Sequence, residues 1–487
     1  MYRAYITQVT NIRPAENADR LNACEVFGNT TIIDKSITED DTIVYFPSDG
    51  QISVEFGEKN NLFRRKDDAG NNVGGFIDPV KRNITAIRLR GNRSDGLVLP
   101  LSCLNYCYAH GDASIELRVG DVIDGCVNGH EICQKYIPRR PDPSRAHSGN
   151  KTRKHKVSTA PLFAEHVDTE QLAYNLSAFK PGDEIEITLK MHGTSQRTGY
   201  LPVLKGYKRT FLDWLFRREG KPIYDWGYVS GTRRVVLENY EGGFYGDNQF
   251  REQHSKAFEG KLNKGETVYY EVVGFTTSGQ PIMGDANNKK LNDKEFIKQY
   301  GEVTRFSYGC EPNPKNLVIA NPNANEVVGV KIPLVPQSDI YVYRMTMTNE
   351  DGFVVEYTPE FMRYRCEQMG VKTVPVFFKG TVPQFADVMY VDKNENDRPD
   401  ADEIIYTRKM DAGEWVMQMA EQFYDGPDPI GKTHVREGVV VRILNRSKFA
   451  AYKHKNWSFK CLSGIAIADA EATGATEGLS EDILAEM

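Results

Sequence analysis

The stretch Thr188-Leu-Lys190-Met-His192-Gly193-Thr-Ser195 gathers a primary amine, an imidazole and two hydroxyls around a glycine. That set suits a nucleophilic lysine beside a phosphate chain. The amine can attack phosphorus, and the glycine lets the backbone turn or approach a ligand closely. Lys190 ends a segment that alternates from Glu184 to Leu189. The pattern predicts a half-buried strand, with Ile185, Ile187 and Leu189 on one face and Glu186, Thr188 and Lys190 on the other. An isolated Lys-x-x-Gly is ordinarily an exposed strand end, so the weight falls on what else the chain places nearby.

Several other segments have the right character. Val229-Ser-Gly-Thr-Arg233-Arg234 supplies two arginines after a glycine turn. Val268 to Phe275 is an apolar strand with Glu271 in its middle, and Ile340 to Met345 is an aromatic strand that includes Tyr343. Val435 to Ile443 is another apolar strand, on which Glu437 shares a face with Val435, Val439 and Val441. A carboxylate on an apolar strand is costly to bury unless paired or linked to a metal. Taken singly, either glutamate is more cheaply explained by surface exposure or a structural ion pair. Trp457-Ser-Phe-Lys460-Cys-Leu462 also alternates and reads as a strand bearing a second lysine.

The elements that must hold these residues belong to a chain of 487 residues, enough for two or more domains. Short strand candidates at Tyr5–Val9, Ala23–Phe27, Thr30–Ile33, Thr42–Phe46, Ile84–Leu89 and Gly96–Leu99 are divided by Asn, Asp and Gly turns. They predict a small OB-type barrel over 1–134. Residues 135–160 are rich in Pro, Lys and Arg and nearly devoid of apolar side chains. They read as a linker, and also as a phosphate-contacting strap. An α/β catalytic region is expected over 161–467, followed by an acidic, disordered tail over 468–487 with one helical turn from Ser480. Within the catalytic region, Asp168 to Gln171 reads as a helix start. Residues 207–226 read as an inserted helix with aromatic and basic faces, and 285–295 as a surface loop.

The net charge of −6 gives no global basic bias, so a nucleic-acid surface must be local. No apolar run is long enough to span a bilayer, and the first residues do not form a signal peptide, so an intracellular, cytoplasmic protein is expected. Cys103, Cys107, Cys126 and Cys133 fit no standard zinc spacing and read as reduced structural thiols.

In this order, the segments around Lys190, Arg233, Glu271, Tyr343, Glu437 and Lys460 resemble the covalent nucleotidyltransferase superfamily of ATP-dependent ligases and mRNA capping enzymes. His192 is informative: DNA ligases and capping enzymes usually carry Asp two residues after the lysine, whereas RNA ligases of the second type often carry His. Ile12 to Arg20, Val44-Tyr-Phe-Pro47 and Ile87 to Pro100 look like the amino-terminal OB domain of a nick-sealing RNA ligase family. The resemblance covers nearly the whole chain except the inserts and tail.

The resemblance implies an α+β protein, with an OB-type barrel ahead of an antiparallel-sheet, ATP-grasp-like nucleotidyltransferase domain. Lys190 would carry AMP, with His192 and Gly193 in the nucleotide site. Arg233, or else Arg234, would contact substrate phosphate and ribose. Glu271 would lie near the ribose and the lysine, Tyr343 would stack on adenine, and Glu437 would hold the water shell of a metal. Lys460 would contact the α-phosphate, with Lys453-His-Lys455 as the alternative. ATP and Mg2+ or Mn2+ are the implied cofactors, with the metal held through water by Glu271 and Glu437 and by no direct ligand. RNA or RNA/DNA duplex ends are the implied partners. Leu189 and Arg344 depart from relatives that carry Glu and Asp there. A DNA ligase, a capping guanylyltransferase, or an OB protein with an inactive transferase domain are the rival readings.

The implied chemistry needs Lys190 as a free amine, whereas an ordinary lysine, with a pKa of ~10.4, is protonated at neutrality. Partial burial and the cations Arg233, Lys460 and a metal are expected to favour the neutral form.

Overall fold

The structure, a computed structural model, describes residues 2–473 apart from internal stretches, of which 139–157, 320–329 and 396–403 are the longest. It is a mixed α and β protein built on antiparallel sheets. In the amino-terminal part a four-stranded sheet runs in the order Leu97–Pro100, Ile43–Phe46, Ala4–Thr7, Val122–Ile123. A three-stranded meander, Thr10–Pro14, Leu21–Val26 and Asn29–Asp34, accompanies it. Ile43–Phe46 is buried on both faces. Val44 and Phe46 enter one core with Ile6 and Phe56, while Ile43 and Tyr45 enter a second with Val26 and Ile33. A strand so placed reads as a continuous apolar run, as this one does.

Two sheets carry the rest. The first runs Glu170–Gln171, Ala450–Lys455, Gly438–Ile443, Glu184–Leu189, Val376–Thr381. The second runs Lys221–Gly231, Thr194–Lys208, Glu266–Gly274, Ser338–Thr348, Val354–Glu356, with Lys372–Thr373 pairing Ser338–Thr348 in parallel. The predicted face of Glu184–Leu189 is observed, with Ile185, Ile187 and Leu189 buried against neighbouring apolar side chains. Glu186 is buried as well, because Arg363 donates to it at 3.1 Å.

The structure corrects several local expectations. Trp457–Thr473 is a helix, not a strand. Asn456 Oδ1 accepts from the Phe459 amide at 3.2 Å, a side-chain cap that starts the helix. The apolar spacing Trp457, Cys461, Ile465 then follows the helical period. Over five residues that spacing also mimics alternation, which is why the segment misleads. The same helix continues past Ala468, where a disordered tail is expected; residues 474–487 lie outside the described residues.

Residues 221–226 belong to a long hairpin and not to a helix, since Lys221–Gly231 pairs along Thr194–Lys208. Pro222, Ile223, Tyr224 and Trp226 favour strand, and Gly220 at φ +84° helps reverse the chain. Residues 212–214 and 217–219 of the expected helix lie outside the described residues.

Glu170–Gln171 is a short strand rather than a helix start, paired in parallel with Ala450–Lys455; Asp168 lies outside the described residues. The expected loop at 285–295 is instead packed structure. Ala286–Asn287 pairs with Val303–Thr304, Ala286 and Asn288 are buried, and Asp293 caps the helix Lys294–Tyr300. Ile84–Leu89 is split into Asn83–Ile84 and Ile87–Leu89. Most of the basic strap, 139–157, lies outside the described residues.

Among the described residues, no helix is long and apolar enough to cross a membrane. All eight cysteines are free, and only Cys126 is exposed.

Candidate active site

Between the two large sheets lies a cavity of about 320 Å³, within the size range of small-ligand sites. Lys190, His192, Gly193, Ser195, Arg233, Glu271, Tyr343 and Glu437 all line it. These residues come from five separate chain segments, and the sheet ladders bring them together.

Lys190 leaves the end of its strand with its amide donating to Gly438 O at 3.0 Å. The Lys190 Nζ lies 2.7 Å from Glu437 Oε1, and Glu437 is almost wholly buried. Glycine is required at two points beside this pair. A Cβ on Gly193 would fall 2.4 Å from Val272 O, so only glycine lets the nucleophile turn press against the strand that carries Glu271. Gly438 has φ +144°, and a Cβ there would meet His454 O at 2.0 Å.

Glu271 lies opposite Ser195 across the ladder, which carries both to the cavity wall. Tyr343 sits where the register between Glu266–Gly274 and Ser338–Thr348 shifts, at the position the ladder skips between Val342 and Arg344. Bulges of this kind re-aim a side chain. Here Tyr343 lines the cavity, its hydroxyl 3.0 Å from Ser195 Oγ and its ring 5.2 Å from that of His166. Arg344 points elsewhere and binds Glu356 with its Nε 3.0 Å from each carboxylate oxygen. Leu189 lines the cavity as a buried apolar side chain.

His192 is clamped edge-on between Phe306 and Phe459, with ring centroids 4.6 and 4.7 Å away. Its amide donates to the Tyr308 hydroxyl at 2.7 Å, and its Nδ1 lies 3.6 Å from Glu437 Oε2. Burial lowers the pKa of His192 despite the neighbouring carboxylate. Burial alone would raise the pKa of Glu437, but Lys190, His192 and Lys455 outweigh it and hold the carboxyl well below the usual carboxylate range.

The second lysine is the principal correction at this site. Lys460 does not line the cavity. From its helix it reaches back to the amino-terminal part, where its Nζ lies 2.5 Å from Asp95 Oδ2. Lys453 and Lys455 do line the cavity, from alternate positions of Ala450–Lys455. Lys455 Nζ lies 3.7 Å from Glu437. Burial, reinforced by Lys455, Lys190 and Arg233, pulls the pKa of Lys453 down to about 8. Arg233 faces the cavity, while Arg234 lies outside the described residues.

Substituting Lys460 by Ala is therefore expected to cost about 2 kcal/mol in denaturant unfolding, because it strips a buried carboxylate of its cation. ATP-dependent labelling of Lys190 should persist in that variant. Loss of labelling at unchanged stability would return Lys460 to the site.

Lys135 to Pro138, the start of the expected strap, approach the cavity from the amino-terminal part, together with Asp49, which sequence reasoning missed. His166, Arg363 and Arg442 complete the wall, and no local pattern marks them. Among the described residues, no three His, Cys, Asp or Glu side chains gather to ligate a metal directly.

Five buried or half-buried histidines share one trend. Burial lowers His166, His192 and His434, takes His254 to about 4, and takes His454 to about 3. The folded state therefore holds them neutral, whereas the unfolded chain protonates them near the ordinary pKa of ~6.5. Their contribution is complete above that pH and is lost as pH falls below it, at about 1.4 kcal/mol per histidine per pH unit. The urea midpoint should accordingly fall steeply between pH 6.5 and pH 5. A flat midpoint across that window would refute the neutral-histidine account.

By sequence, no family model matches the chain, and no curated protein matches it. Among solved structures the chain is similar to RNA ligases. The RNA ligase of Naegleria gruberi with PPi matches at 16% identity over 93% of this chain and 96% of that one, with a TM-score of 0.49. A lysine-to-alanine variant of that ligase with ATP and Mn matches at 15% identity over 94% and 98%, with a TM-score of 0.49. A lysine-to-methionine variant with AMP and Mn matches at 15% identity over 94% and 97%, with a TM-score of 0.48. Likeness at this level does not by itself assign an activity.

Proposed function

We propose that this protein is an ATP-dependent RNA ligase that works through a covalent lysyl-AMP at Lys190. One observation carries the reading. The Lys190 amine shares one cavity with Arg233, Lys453, Lys455, the carboxylates of Glu271 and Glu437, and the Tyr343 ring, although these lie far apart in sequence. Seven basic and four acidic side chains line the space, a balance suited to a polyphosphate.

In the first step Lys190 Nζ attacks the α-phosphorus of ATP and pyrophosphate leaves. The 5′-phosphate of an RNA end then attacks the lysyl-AMP, frees the lysine and forms an adenylated end. A 3′-hydroxyl displaces AMP and closes the phosphodiester. Such covalent catalysis divides one difficult transfer into easier ones. Lys453 and Lys455, which line the same cavity, would contact the transferring phosphate, and Arg233, also in its wall, would meet phosphate or ribose. Tyr343, which lines the same cavity, offers a ring for adenine.

The residues present fit a hydrated divalent cation, Mg2+ or Mn2+. Glu437 Oε2 is buried with no approach shorter than the 3.6 Å contact to His192 Nδ1, a position that a metal-bound water would satisfy, and Glu271 lines the same space. When bound, the metal supplies charge neutralisation at the transferring phosphate. Glu437 holds the Lys190 amine at 2.7 Å and so keeps it positioned in the cavity.

The amino-terminal sheets over 1–134 are read as an OB-type unit that grips nucleic acid, and the substrate as a nick in duplex RNA or an RNA/DNA hybrid. Intact mass after mixing with ATP and magnesium tests the proposal. A single added AMP, removed by pyrophosphate, is expected; label acquired from GTP alone would refute it.

A further inference from the structure

The hairpin formed by Thr194–Lys208 and Lys221–Gly231 begins in the cavity wall and leaves it. Ser195 and Arg233 stand at its base and line the cavity. Thr194–Lys208 pairs with Glu266–Gly274 only as far as Gly199. Beyond that point its ladder among the described residues is with Lys221–Gly231, so residues 200–208 and 221–228 form a two-stranded ribbon, which Tyr200 O ties to the Gly265 amide and the Leu204 amide ties to Thr159 O at 2.8 Å. At ~3.4 Å per residue the ribbon extends roughly 25–30 Å.

Its outer half is basic. Lys205, Lys208, Arg209 and Lys221 are exposed, and Asp225 is the single acidic residue among the described residues of this stretch. In the full sequence, residues 200–228 carry six Lys or Arg and three Asp or Glu, again a surplus of three positive charges in a chain of net charge −6. Lys208 and Lys221 are direct cross-strand partners. Like charges so placed repel and destabilise a ladder. No packing gain offsets this, since both side chains are exposed. A local rule broken without compensation is characteristic of a working surface. Half-buried Tyr207, Tyr224 and Trp226 lie among these cations, with Lys264 Nζ 5.2 Å from the Trp226 ring centroid. Cations interleaved with aromatic rings suit phosphates and bases together.

We propose that this ribbon is an RNA-binding arm that holds the phosphate backbone of the substrate several nucleotides from the break. The choice of RNA over an acidic protein rests on the ligase reading and on continuity of the arm with the cationic cavity.

The test is a triple variant, K205E/K208E/K221E, with the milder K205Q/K208Q/K221Q beside it. None of the three lysines lines the cavity, so ATP labelling of Lys190 should stay within about twofold of wild type. RNA binding should weaken at least tenfold in the glutamate variant and less in the glutamine variant. The slope of log affinity against log salt should fall by about 2 to 3, as expected for three lost phosphate contacts. Sealing of RNA should fall with binding. Unchanged RNA affinity and salt slope in both variants would overturn the proposal while leaving Lys190 labelling, and the ligase reading, intact. A wild-type protein that took no AMP yet lost RNA binding on charge reversal would sink the ligase reading and keep the arm.

Discussion

Substituting Lys190 by Ala is expected to eliminate the covalent AMP adduct and to reduce overall joining of 5′-phosphorylated RNA by on the order of 10⁴-fold or more. Fold stability should change little in comparison. The amine is partly exposed, and its partner Glu437 keeps Lys455 at 3.7 Å and the His192 ring at 3.6 Å. The defect should be confined to the first chemical step, so RNA supplied already adenylated at its 5′ end should still be sealed. Mass spectrometry for the adduct and a gel assay for both substrates make the separation. An adduct that survives in the Ala variant would move the nucleophile to another lysine. Arg at the same position retains the charge but not a nucleophilic amine, and should be as inactive as Ala.

The second large effect is expected at Lys453. Its replacement by Ala should lower the rate of Lys190 labelling by about 10²- to 10³-fold, the scale of removing one preorganised charge from a transferring group. Lys453 has a further signature because its pKa lies at about 8 in the free protein. It is mainly charged at pH 7 and mainly neutral at pH 9. If its charge contacts phosphate, kcat/KM for ATP should decline as pH rises through about 8, since that ratio reports the free enzyme. Lys453→Arg keeps its charge throughout and should remove the decline. A limb that persists unchanged in the Arg variant would assign the titration to another group. The pairing of this variant with Lys460→Ala decides between the two lysine segments: one should lose labelling, the other should lose stability.

The contrast between those lysines shows where sequence patterning runs out. Trp457, Phe459 and Cys461 satisfy a strand period and, with Leu462 and Ile465, a helical one. The decision came from Asn456, whose side chain caps Phe459, and from packing of the helix on the amino-terminal part. There Cys461 Sγ approaches Ala86 O at 3.3 Å and Lys460 meets Asp95. Those partners are more than 360 positions away in the chain. The hairpin at 221–226 misled for a similar reason. Its aromatic and basic residues fit either an amphipathic helix or a twisted ribbon, and only the facing strand shows which. At 285–295, polar composition suggested a loop. Asn288 is instead fully buried, satisfied by its bonds to Gly301 O and Thr304 Oγ1.

What the chain determined by itself was local: the alternation that buries Ile185, Ile187 and Leu189, the glycine after the lysine, and the carboxylate of Glu271 within a largely apolar strand, whereas Glu437 stands just ahead of the strand Gly438–Ile443. Those are nearest-neighbour consequences of side-chain period and backbone freedom, and they survive in any fold that buries one face of a strand. Tertiary structure alone decided which charges meet. It put Glu437 on Lys190, turned Lys453 and Lys455 toward them, sent Lys460 to Asp95, and re-aimed Tyr343 at a register shift. Electrostatic pairing depends on distance through space and on burial. Neither is encoded in spacing along the chain.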